Sequence, residues 1–472
     1  MILRDYQLAD LERLRTAYRT GARAVLYQAP TGSGKTVLFA EIVRAAAART
    51  SRIWVVVHRQ ELLHQCSRAL DELQVPHGII APGRYGGPET VVVASVQTLV
   101  RRIRAAKIGS ADLIVLDEAH HATAGTWRAI IDARPSARLL GVTATPLRLD
   151  GKGLGQQAGG VFDSLVVGPS VEALTASGHL SPFTVYAPPS AVDLSGVHRR
   201  MGDYAKGELA SAMDKPRITG DAVAHYERLC PDEPALAFCV SIKHAEHVAE
   251  RFRDAGWKAE SIDGTLPDSM RRQRIADLGA GRLHVLTSCE IVSEGTDIPI
   301  VSAAILLRPT QSLGLYLQQV GRVLRPAPGK GRALILDHVG NCARHGFPDD
   351  VRAWSLDGAQ NGKPAEPVES IRTCGSCFAA FRPAPACPSC GVEYVVKARE
   401  IEEAAGDLQE VTEREREVIR VNARREVGRA KDRASLELIA AERGYKRGWV
   451  DYILAARRVK WRHMSTAARR TG

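Results

Sequence analysis

Short apolar runs rich in β-branched residues alternate with helical patterns through the first 340 residues. Because strands that alternate with helices form parallel sheets covered on both faces, the pattern predicts two α/β domains. Residues 152–216, between them, contain Gly and Pro clusters without a strong period, which predicts a hinge with an insertion. The predicted strands are residues 24–27, 53–57, 91–94, 113–116 and 139–142, then 235–240, 259–262, 283–286, 303–307 and 333–336.

Polar side chains follow four predicted strands of the first domain. They lie at residues 58–59 (HR), 95–98 (SVQT), 117–120 (DEAH) and 143–146 (TATP). In parallel sheets of this kind, ligand sites gather at the carboxyl ends of the strands. The pattern therefore predicts a functional site along this edge.

A Gly-rich turn joins the first predicted strand to a helix at residues 29–36 (APTGSGKT). Small residues let backbone N–H groups converge on phosphate oxygens, and the helix dipole adds to the attraction. Lys35 would reach the β- and γ-phosphates, and the Thr36 hydroxyl would ligate Mg²⁺. Ala29 stands where the strict pattern has Gly, so an ordinary strand, turn and helix remains the alternative. The second domain has no such turn.

A cationic pattern marks a predicted helix of the second domain. Gln318, Arg322 and Arg325 fall at i, i+4 and i+7, which predicts that all three share one helix face. Such a face suits stabilisation of γ-phosphate charge across a cleft. The two domains are therefore expected to complete one site when they close.

Four of the nine cysteines form two CxxC pairs, and the others are scattered. Two such pairs supply the thiolates of a tetrahedral Zn²⁺ site, and a full shell of four thiolates predicts a structural role. Redox chemistry or unrelated cysteines are the alternatives. Residues 357–368, rich in Gly, Pro and polar residues, predict a linker before the pairs. The expected zinc ligands are Cys374, Cys377, Cys387 and Cys390.

The net charge of +11 is concentrated near the carboxyl terminus. Residues 411–472 contain 17 Lys and Arg residues against 8 acidic ones, so they carry nine of the eleven net charges. Basic residues mixed with aromatics, among them Trp449 and Arg457, predict a helical tail that grips phosphates and stacks on bases. A solvated helical surface, with the aromatics packing two helices together, is the alternative.

The composition, 45% hydrophobic and 25% charged, is typical of soluble globular proteins. Arg4, Asp5 and Asp10 interrupt any apolar core of a signal peptide, and no apolar run has the length of a membrane span. The expected location is the cytoplasm, without membrane partners.

Taken in order, these motifs resemble those of superfamily 2 helicases of the DEAD/DEAH-box type over residues 1–345. Asp5 departs from that pattern, where Pro is common. Residues 143–148, 307–312, 315–322, 327–330 and 336–337 resemble most the RadD-like DNA-repair ATPases and their phage-borne relatives within the superfamily. A cysteine cluster after the second lobe also fits that group. The segments that match the superfamily motifs are residues 3–7, 29–36, 58–62, 95–98, 117–120, 143–145, 238–241, 287–297 and 318–325.

The resemblance implies two tandem RecA-like lobes with ATP and Mg²⁺ between them. Asp117 would hold Mg²⁺ through water, and Glu118 would activate the attacking water. Arg322 and Arg325 would act as arginine fingers, with Gln318 near the γ-phosphate. His120 would couple the state of the bound nucleotide to the binding of the nucleic-acid strand. The implied nucleotide-binding residues are Arg4, Gln7, Thr31, Gly32, Ser33, Gly34, Lys35, Thr36, Gly295 and Asp297.

The resemblance also implies that one nucleic-acid strand is held across both lobes by its phosphates. DNA is expected rather than RNA, with single-strand-binding or recombination proteins as further partners. The implied contacts, besides the tail, are Arg59, Ser95, Gln97, Thr98, Ser241 and Thr287.

The sequence thus predicts an ATP-binding lobe at 1–182, a helicase lobe at 183–356, a linker at 357–369, a zinc ribbon at 370–395 and a basic helical tail at 396–472. The predicted function is an ATP-dependent helicase or translocase. A nucleic-acid-stimulated ATPase that clamps or remodels complexes without unwinding has the same motifs and remains open. A scaffold that only binds is a third hypothesis, which intact Lys35, Glu118, Arg322 and Arg325 oppose.

Overall fold

The architecture comes from a computed structural model. The residues it describes are 2–148, 151–187, 197–200, 203–213, 216–289, 298–358, 371–394, 426–427, 430, 432–442 and 448–454. The chain divides into two compact units, Met1–Val396 and Lys397–Gly472.

The first sheet has eight strands in the order β4-β3-β5-β2-β6-β7-β1-β8. All neighbours are parallel except β3 and β4, as expected for strands joined by helical crossovers. Their bounds are β1 Ala24–Gln28, β2 Ile53–Val57, β3 Gly78–Ala81, β4 Arg84–Tyr85, β5 Val91–Ser95, β6 Leu113–Asp117, β7 Arg138–Thr143 and β8 Ser164–Val167.

Helices cover both faces of this sheet. Successive strand residues point to opposite faces, and both faces are apolar and therefore buried. Val55 joins a core with Phe39 of α2, whereas Trp54 joins a separate core with Trp127 of α5. The helices are α1 Asp5–Arg19, α2 Lys35–Ala47, α3 Gln60–Glu72, α4 Val96–Arg104, α5 Gly125–Asp132 and α6 Val171–Ala176, with short 3-10 turns at Ala119–His121 and Gln156–Ala158.

The second sheet has the order β13-β14-β12-β15-β16-β9-β18-β17, and β10 and β11 form a separate hairpin. The strands are β9 Phe183–Tyr186, β10 Arg199–Arg200, β11 Asp203–Tyr204, β12 Ala235–Phe238, β13 Ala259–Ile262, β14 Val285–Ser288, β15 Ala303–Leu306, β16 Ala333–Asp337, β17 Arg372–Thr373 and β18 Ala379–Phe381. The helices are α7 Lys206–Met213, α8 Pro216–Leu229, α9 Ile242–Asp254, α10 Asp268–Gly279, α11 Leu313–Gly321 and α12 Asn341–His345.

The two parallel-dominated α/β sheets confirm the predicted fold class for the lobes. Residues 152–216 contain more than a hinge and an insertion, because β8 completes the first sheet and β9 belongs to the second. The hairpin of β17 and β18, which carries the first CxxC pair, is antiparallel to β9 and extends the second sheet.

Between β16 and β17 of the second sheet, the chain returns to the first lobe. Gly155 N donates to Leu356 O at 2.8 Å, and Lys152 and Gly358 form an isolated antiparallel bridge. Leu356 packs against the core that contains Phe162. Residues 356–358, which follow the second lobe in sequence, therefore bind to the loop after β7 of the first lobe.

In the second unit, α13 spans Arg433–Glu442 and residues 449–454 are helical. Leu436 and Ile439 of α13 pack against Val450, with Trp449 at the edge of the cluster. Among the helices described here, none is both long and apolar enough to cross a membrane.

Candidate active site between the two sheets

The turn between β1 and α2 is open at the start of the helix. Gly32 and Gly34 have φ of +87° and +78°, a region that L side chains rarely adopt, so glycine is required at both positions. Gly34 caps α2, and no side chain accepts from the first turn. The first N–H groups of α2 are therefore available to a phosphate.

Lys35, the first residue of α2, bends back over this turn. Its Nζ donates to Ala29 O at 3.0 Å and to Pro30 O at 3.1 Å. Burial lowers the pKa of the Lys35 ammonium, and the carboxylates of Glu118 and Asp117 oppose that shift. Both of these acceptors are neutral carbonyl oxygens. An anionic ligand would be a stronger partner for the ammonium.

The amino terminus supports the turn from outside. Gln7 Nε2 donates to Gly34 O at 3.2 Å, and Tyr6 OH donates to Ser33 O at 2.6 Å. Arg4 N in turn donates to Gln7 Oε1 at 2.9 Å, which fixes the orientation of the amide. Residues 4–7, which include two of the implied nucleotide-binding residues, are thus attached to the phosphate turn by side chains.

The acidic pair lies at the carboxyl end of β6, beside the turn. Asp117 is buried, and Glu118 N donates to its Oδ1 at 3.0 Å. Burial, together with the charge of Glu118, raises the pKa of Asp117 to about 6. Glu118 has φ of +51°, and a non-glycine residue in the left-handed region is an outlier typical of functional sites.

His120 connects the acidic pair to the end of β7. Its Nδ1 lies 3.4 Å from Glu118 Oε2 and 3.4 Å from Thr143 Oγ1. Thr143 Oγ1 also donates to Thr145 O at 2.9 Å, so the hydroxyl belongs to a continuous chain of contacts. His120 does not line the cavity described below but lies behind Glu118.

The prediction of one helix face for the cationic residues is wrong. Helix α11 ends at Gly321, and Arg322 and Arg325 lie in the following turn. Gly321 is a poor helix former, and Pro326 disfavours helical backbone at the residue before it. Gln318 remains within α11, where it is buried.

One cavity of about 290 Å³ contains groups from both lobes. Lys35 and the acidic pair lie on the wall from the first lobe, and Arg322 and Arg325 lie on the wall from the second. The predicted site residues on its walls are Arg4, Thr31, Gly32, Gly34, Lys35, Thr36, Asp117, Glu118, Arg322 and Arg325. Of the other predicted residues, Ser33 is buried in the turn, and Gln7 contacts the turn from outside.

Close packing of α11 against the first lobe brings the two walls together. A β-carbon on Gly321 would lie 2.5 Å from Thr31 Cβ, and one on Gly314 would lie 2.9 Å from Thr145 Oγ1. Both distances are too short for real atoms, so glycine at these positions permits the approach. Helix α11 thus contacts the phosphate turn at one end and the end of β7 at the other.

Sequence reasoning assigned no site role to several further residues of the cavity wall. His179 lines it, and the His179 ring lies 5.3 Å from the Tyr6 ring. Pro299 and Gln65 also lie on its walls. His179 follows α6 in the loosely patterned region, where no motif marked it, whereas Tyr6 was within a quoted motif but had no assigned role.

The four clustered cysteines converge in space. Their sulfur atoms all lie within 4.8 Å of one another, with Cys374 Sγ 3.6 Å from Cys390 Sγ and Cys377 Sγ 3.7 Å from Cys387 Sγ. Four sulfurs about 2.3 Å from one Zn²⁺ in a tetrahedron lie about 3.8 Å apart. The cluster therefore fits a tetrahedral metal ion. None of the nine cysteines, all of which are described, is in a disulfide.

The predicted strand contacts of the first lobe lie at the ends of β2 and β5. Arg59 Nε lies 3.2 Å from His58 Nε2. Ser95 is buried and donates to Thr98 Oγ1 at 2.9 Å, whereas Gln97 is exposed.

The predicted contacts of the second lobe have local partners. Ser241 Oγ accepts from His244 N at 3.1 Å and caps α9. Thr287 is fully buried and donates to Ala245 O at 2.7 Å. Gly295, Asp297 and Arg457 lie outside the described residues. Trp449, in the second unit, packs against the cluster of Leu436 and Val450, as the alternative reading of the tail expects.

Two family models match the chain, one in each lobe. The model described as "Type III restriction enzyme, res subunit" matches residues 1–148. The model described as "Helicase conserved C-terminal domain" matches residues 221–327. Together these segments contain the phosphate turn, the acidic pair and both arginines of the cavity.

Two relatives and one solved structure extend this comparison. A "51.5 kDa protein" of a Lactococcus phage (isolate 7-9) is 32% identical over 70% of this chain and 68% of its own length. The "Putative ATP-dependent helicase IRC3" of Saccharomyces cerevisiae is 28% identical over 72% of this chain, which spans 52% of that relative. The fold also resembles an "ATP-dependent Type ISP restriction-modification enzyme LlaBIII bound to DNA", with a TM-score of 0.52, 19% identity and coverage of 71% of this chain and 27% of that one.

The chain thus spans about half of its yeast relative and about a quarter of the restriction enzyme. The identity to the phage relative, and the share of both chains that it covers, establish homology. The two family models match one segment in each lobe of this chain. The chain therefore belongs to the superfamily 2 helicases.

Proposed function

We propose that this protein hydrolyses ATP between its two lobes and uses that reaction to move along single-stranded DNA. One observation supports this above all others: Lys35, Glu118 and the two arginines, from opposite lobes, line one cavity. Neither lobe alone supplies both the phosphate turn and the cations. ATP turnover would then depend on lobe closure, which a strand bound across both lobes would favour.

In this proposal, each group acts on a separate part of the nucleotide. The N–H groups of the α2 start and the Lys35 ammonium bind the β- and γ-phosphates. Glu118 takes a proton from the attacking water. Arg322 and Arg325 stabilise the negative charge that develops on the γ-phosphate, whereas Arg4 and Gln7 contact the adenine.

Thr36 and Asp117 fit a divalent metal ion because both offer oxygen ligands on the cavity wall. When bound, Mg²⁺ supplies neutralisation of phosphate charge. Burial raises the pKa of Asp117 to about 6, so its carboxylate is ionised at neutral pH and available as a ligand.

His120 is proposed to transmit the state of the nucleotide. It contacts Glu118 on one side and Thr143 on the other, and Thr145 beyond them lies against α11. A change at the γ-phosphate could therefore alter the contact between the lobes through this chain of side chains. Gln318, buried in α11, would act from the same helix.

DNA is the proposed strand because the structural neighbour described above is bound to DNA. The positive net charge of the chain suits the phosphates of either nucleic acid. The strand would lie across the ends of β2, β5 and β14, with the basic tail, residues 396–472, as an additional phosphate contact. This binding would track the backbone without reading bases.

The cysteine cluster is proposed to hold a structural Zn²⁺, since its sulfur spacing fits a tetrahedral ion and four thiolates leave no open position. The proposed ribbon is short, and Cys374 and Cys387 are buried against the second lobe. Metal analysis of the purified protein should find about one zinc per chain, and a protein without metal but with intact ATP turnover would contradict this assignment.

The deciding experiment measures ATP hydrolysis and strand displacement in parallel. Single-stranded DNA, duplex DNA, a forked duplex and single-stranded RNA of equal length are compared at one salt concentration. We expect the largest stimulation with single-stranded DNA and displacement only on the fork. Strong stimulation without displacement would instead favour the clamping or remodelling ATPase, and no ATP hydrolysis with any substrate would contradict both.

A further inference from the structure

We infer that Lys330 is a positioning residue that holds the arginine segment, residues 322–325, against the cavity. This inference rests on the proposed function, in which Arg322 and Arg325 act on the γ-phosphate. No motif assigned a role to Lys330, which follows the arginine segment by five residues in a Gly- and Pro-rich turn.

The Lys330 ammonium binds backbone carbonyls from two separate parts of the second lobe. Its Nζ donates to Val323 O at 2.6 Å and Arg325 O at 2.7 Å, both in the arginine segment. It also donates to Val301 O at 2.6 Å, just before β15, and lies 3.4 Å from Pro299 O. Lys330 thus joins the arginine segment to residues 299–301.

These two segments form part of the cavity wall. Pro299 and Arg325 both line the cavity, and Lys330 contacts the backbone carbonyl of each from behind. The position of the Arg325 guanidinium depends on the backbone that carries it, so the ammonium acts on the site through that backbone.

The chemistry of the contact requires a protonated lysine. An ammonium has three N–H donors, which match the three carbonyls within 2.7 Å. A neutral amine has two N–H donors and no charge, so it would leave one of these carbonyls without its donor. A guanidinium retains the charge but has a planar donor arrangement that cannot reproduce all three bonds.

Burial lowers the pKa of Lys330 to about 8, with Arg325 adding to the shift. Glu233, from the turn before β12, opposes it. The arginine segment is thus expected to lose this support as pH rises above about 8. Ser181 also contacts this segment, since its N donates to Leu324 O at 2.7 Å and its Oγ donates to Arg325 O at 3.3 Å.

The test compares Lys330→Gln and Lys330→Arg with Arg332→Gln in the full-length chain. Arg332 is exposed and lies two residues away, so its variant removes the same charge from the same segment. For each protein, ATP affinity is measured with a fluorescent ATP analogue, turnover with saturating single-stranded DNA, and folding by thermal melting.

Lys330→Gln should lower kcat by about tenfold to a hundredfold, because small displacements of a transition-state group are costly, with ATP affinity changed less than about threefold. Arg332→Gln should match the wild type. The wild-type rate should fall above pH 8, whereas Lys330→Arg should keep partial activity without that fall, since a guanidinium stays protonated.

A folded Lys330→Gln variant with kcat within threefold of wild type would overturn the inference. So would an unchanged alkaline fall in Lys330→Arg. If Lys330→Gln fails to fold, Lys330→Arg and its pH profile still decide the question. Failure of the proposed function is distinguishable, because the wild type would then show no ATP hydrolysis, or Lys35→Ala would hydrolyse ATP as fast as the wild type.

Discussion

Each lobe contains a buried strand that leads into a helix, β1 into α2 in the first lobe and β12 into α9 in the second, but the first turns of the two helices differ. In the first lobe, six residues join β1 to α2, and no side chain caps the helix. In the second, three residues join β12 to α9, and Ser241 Oγ accepts from His244 N. The first helix leaves its N–H groups to a ligand, whereas the second satisfies one with its own side chain.

This difference shows why the site needs both lobes. The first lobe offers N–H groups, an ammonium and two carboxylates, all suited to phosphate, metal and water. The second lobe has no such turn before α9, but it presents two guanidinium groups beyond α11. Closure therefore joins a binding surface to the cations that would stabilise its transition state.

The largest expected effect comes from Lys35→Ala, which removes the ammonium from the open helix start. Turnover should fall by at least about a hundredfold, because a buried charge at the phosphates is lost. Steady-state ATP hydrolysis with single-stranded DNA measures it. Lys258→Ala, which removes an exposed ammonium in the second lobe, is the matched control and should retain full turnover. Near-normal hydrolysis by Lys35→Ala would refute the phosphate assignment.

Glu118→Gln should separate binding from chemistry. The amide keeps the size of the side chain but cannot take a proton, so turnover should fall about a hundredfold or more while ATP still binds. The variant should also stay on single-stranded DNA longer in the presence of ATP. Glu72→Gln, at the exposed end of α3, is the control. Turnover within a few fold of wild type would show that Glu118 is not the base.

Gly321→Ala tests the contact between the lobes without changing a polar group. The new methyl group would lie 2.5 Å from Thr31 Cβ, so the lobes must move apart, and turnover should fall by about tenfold. Gly279→Ala is a close match, because Gly279 is the last residue of α10 and its β-carbon would meet only Ile298 Cγ2, at 3.7 Å. Equal turnover in the two variants would mean that hydrolysis does not need this contact.

The sequence pattern predicted five of the eight strands of each sheet because buried parallel strands are continuous apolar runs. The runs at residues 53–57 and 259–262 match β2 and β13 at both ends. The pattern missed β8 and β9, which lie in a region without a strong period. It also could not predict that β18 pairs with β9, because pairing between distant segments depends on the tertiary fold.

The site was predictable where residue type alone carries the chemistry. Lys35, Glu118 and Arg322 were found from local motifs, and all three line the cavity. Periodicity placed the arginines on a helix, but the helix ends at Gly321. The role of Lys330 could not be predicted from the sequence, because the three carbonyls that its ammonium binds come together only in the folded chain.

The smallest expected effect comes from substituting Ser241, the residue that caps the start of α9. Two roles are proposed for this side chain, a helix cap and a contact to the nucleic-acid strand. As a cap, its loss in Ser241→Ala should cost about 1 kcal/mol of unfolding free energy and leave turnover near wild type. Ser241→Asp preserves an acceptor for His244 N, so stability should return. If Ser241 also contacts the strand, the new negative charge should weaken DNA binding at low salt. Urea unfolding and DNA titration of both variants separate the two roles. Unchanged stability in Ser241→Ala would mean that the hydroxyl is not needed to close α9, and the contrast with the open start of α2 would lose its physical basis.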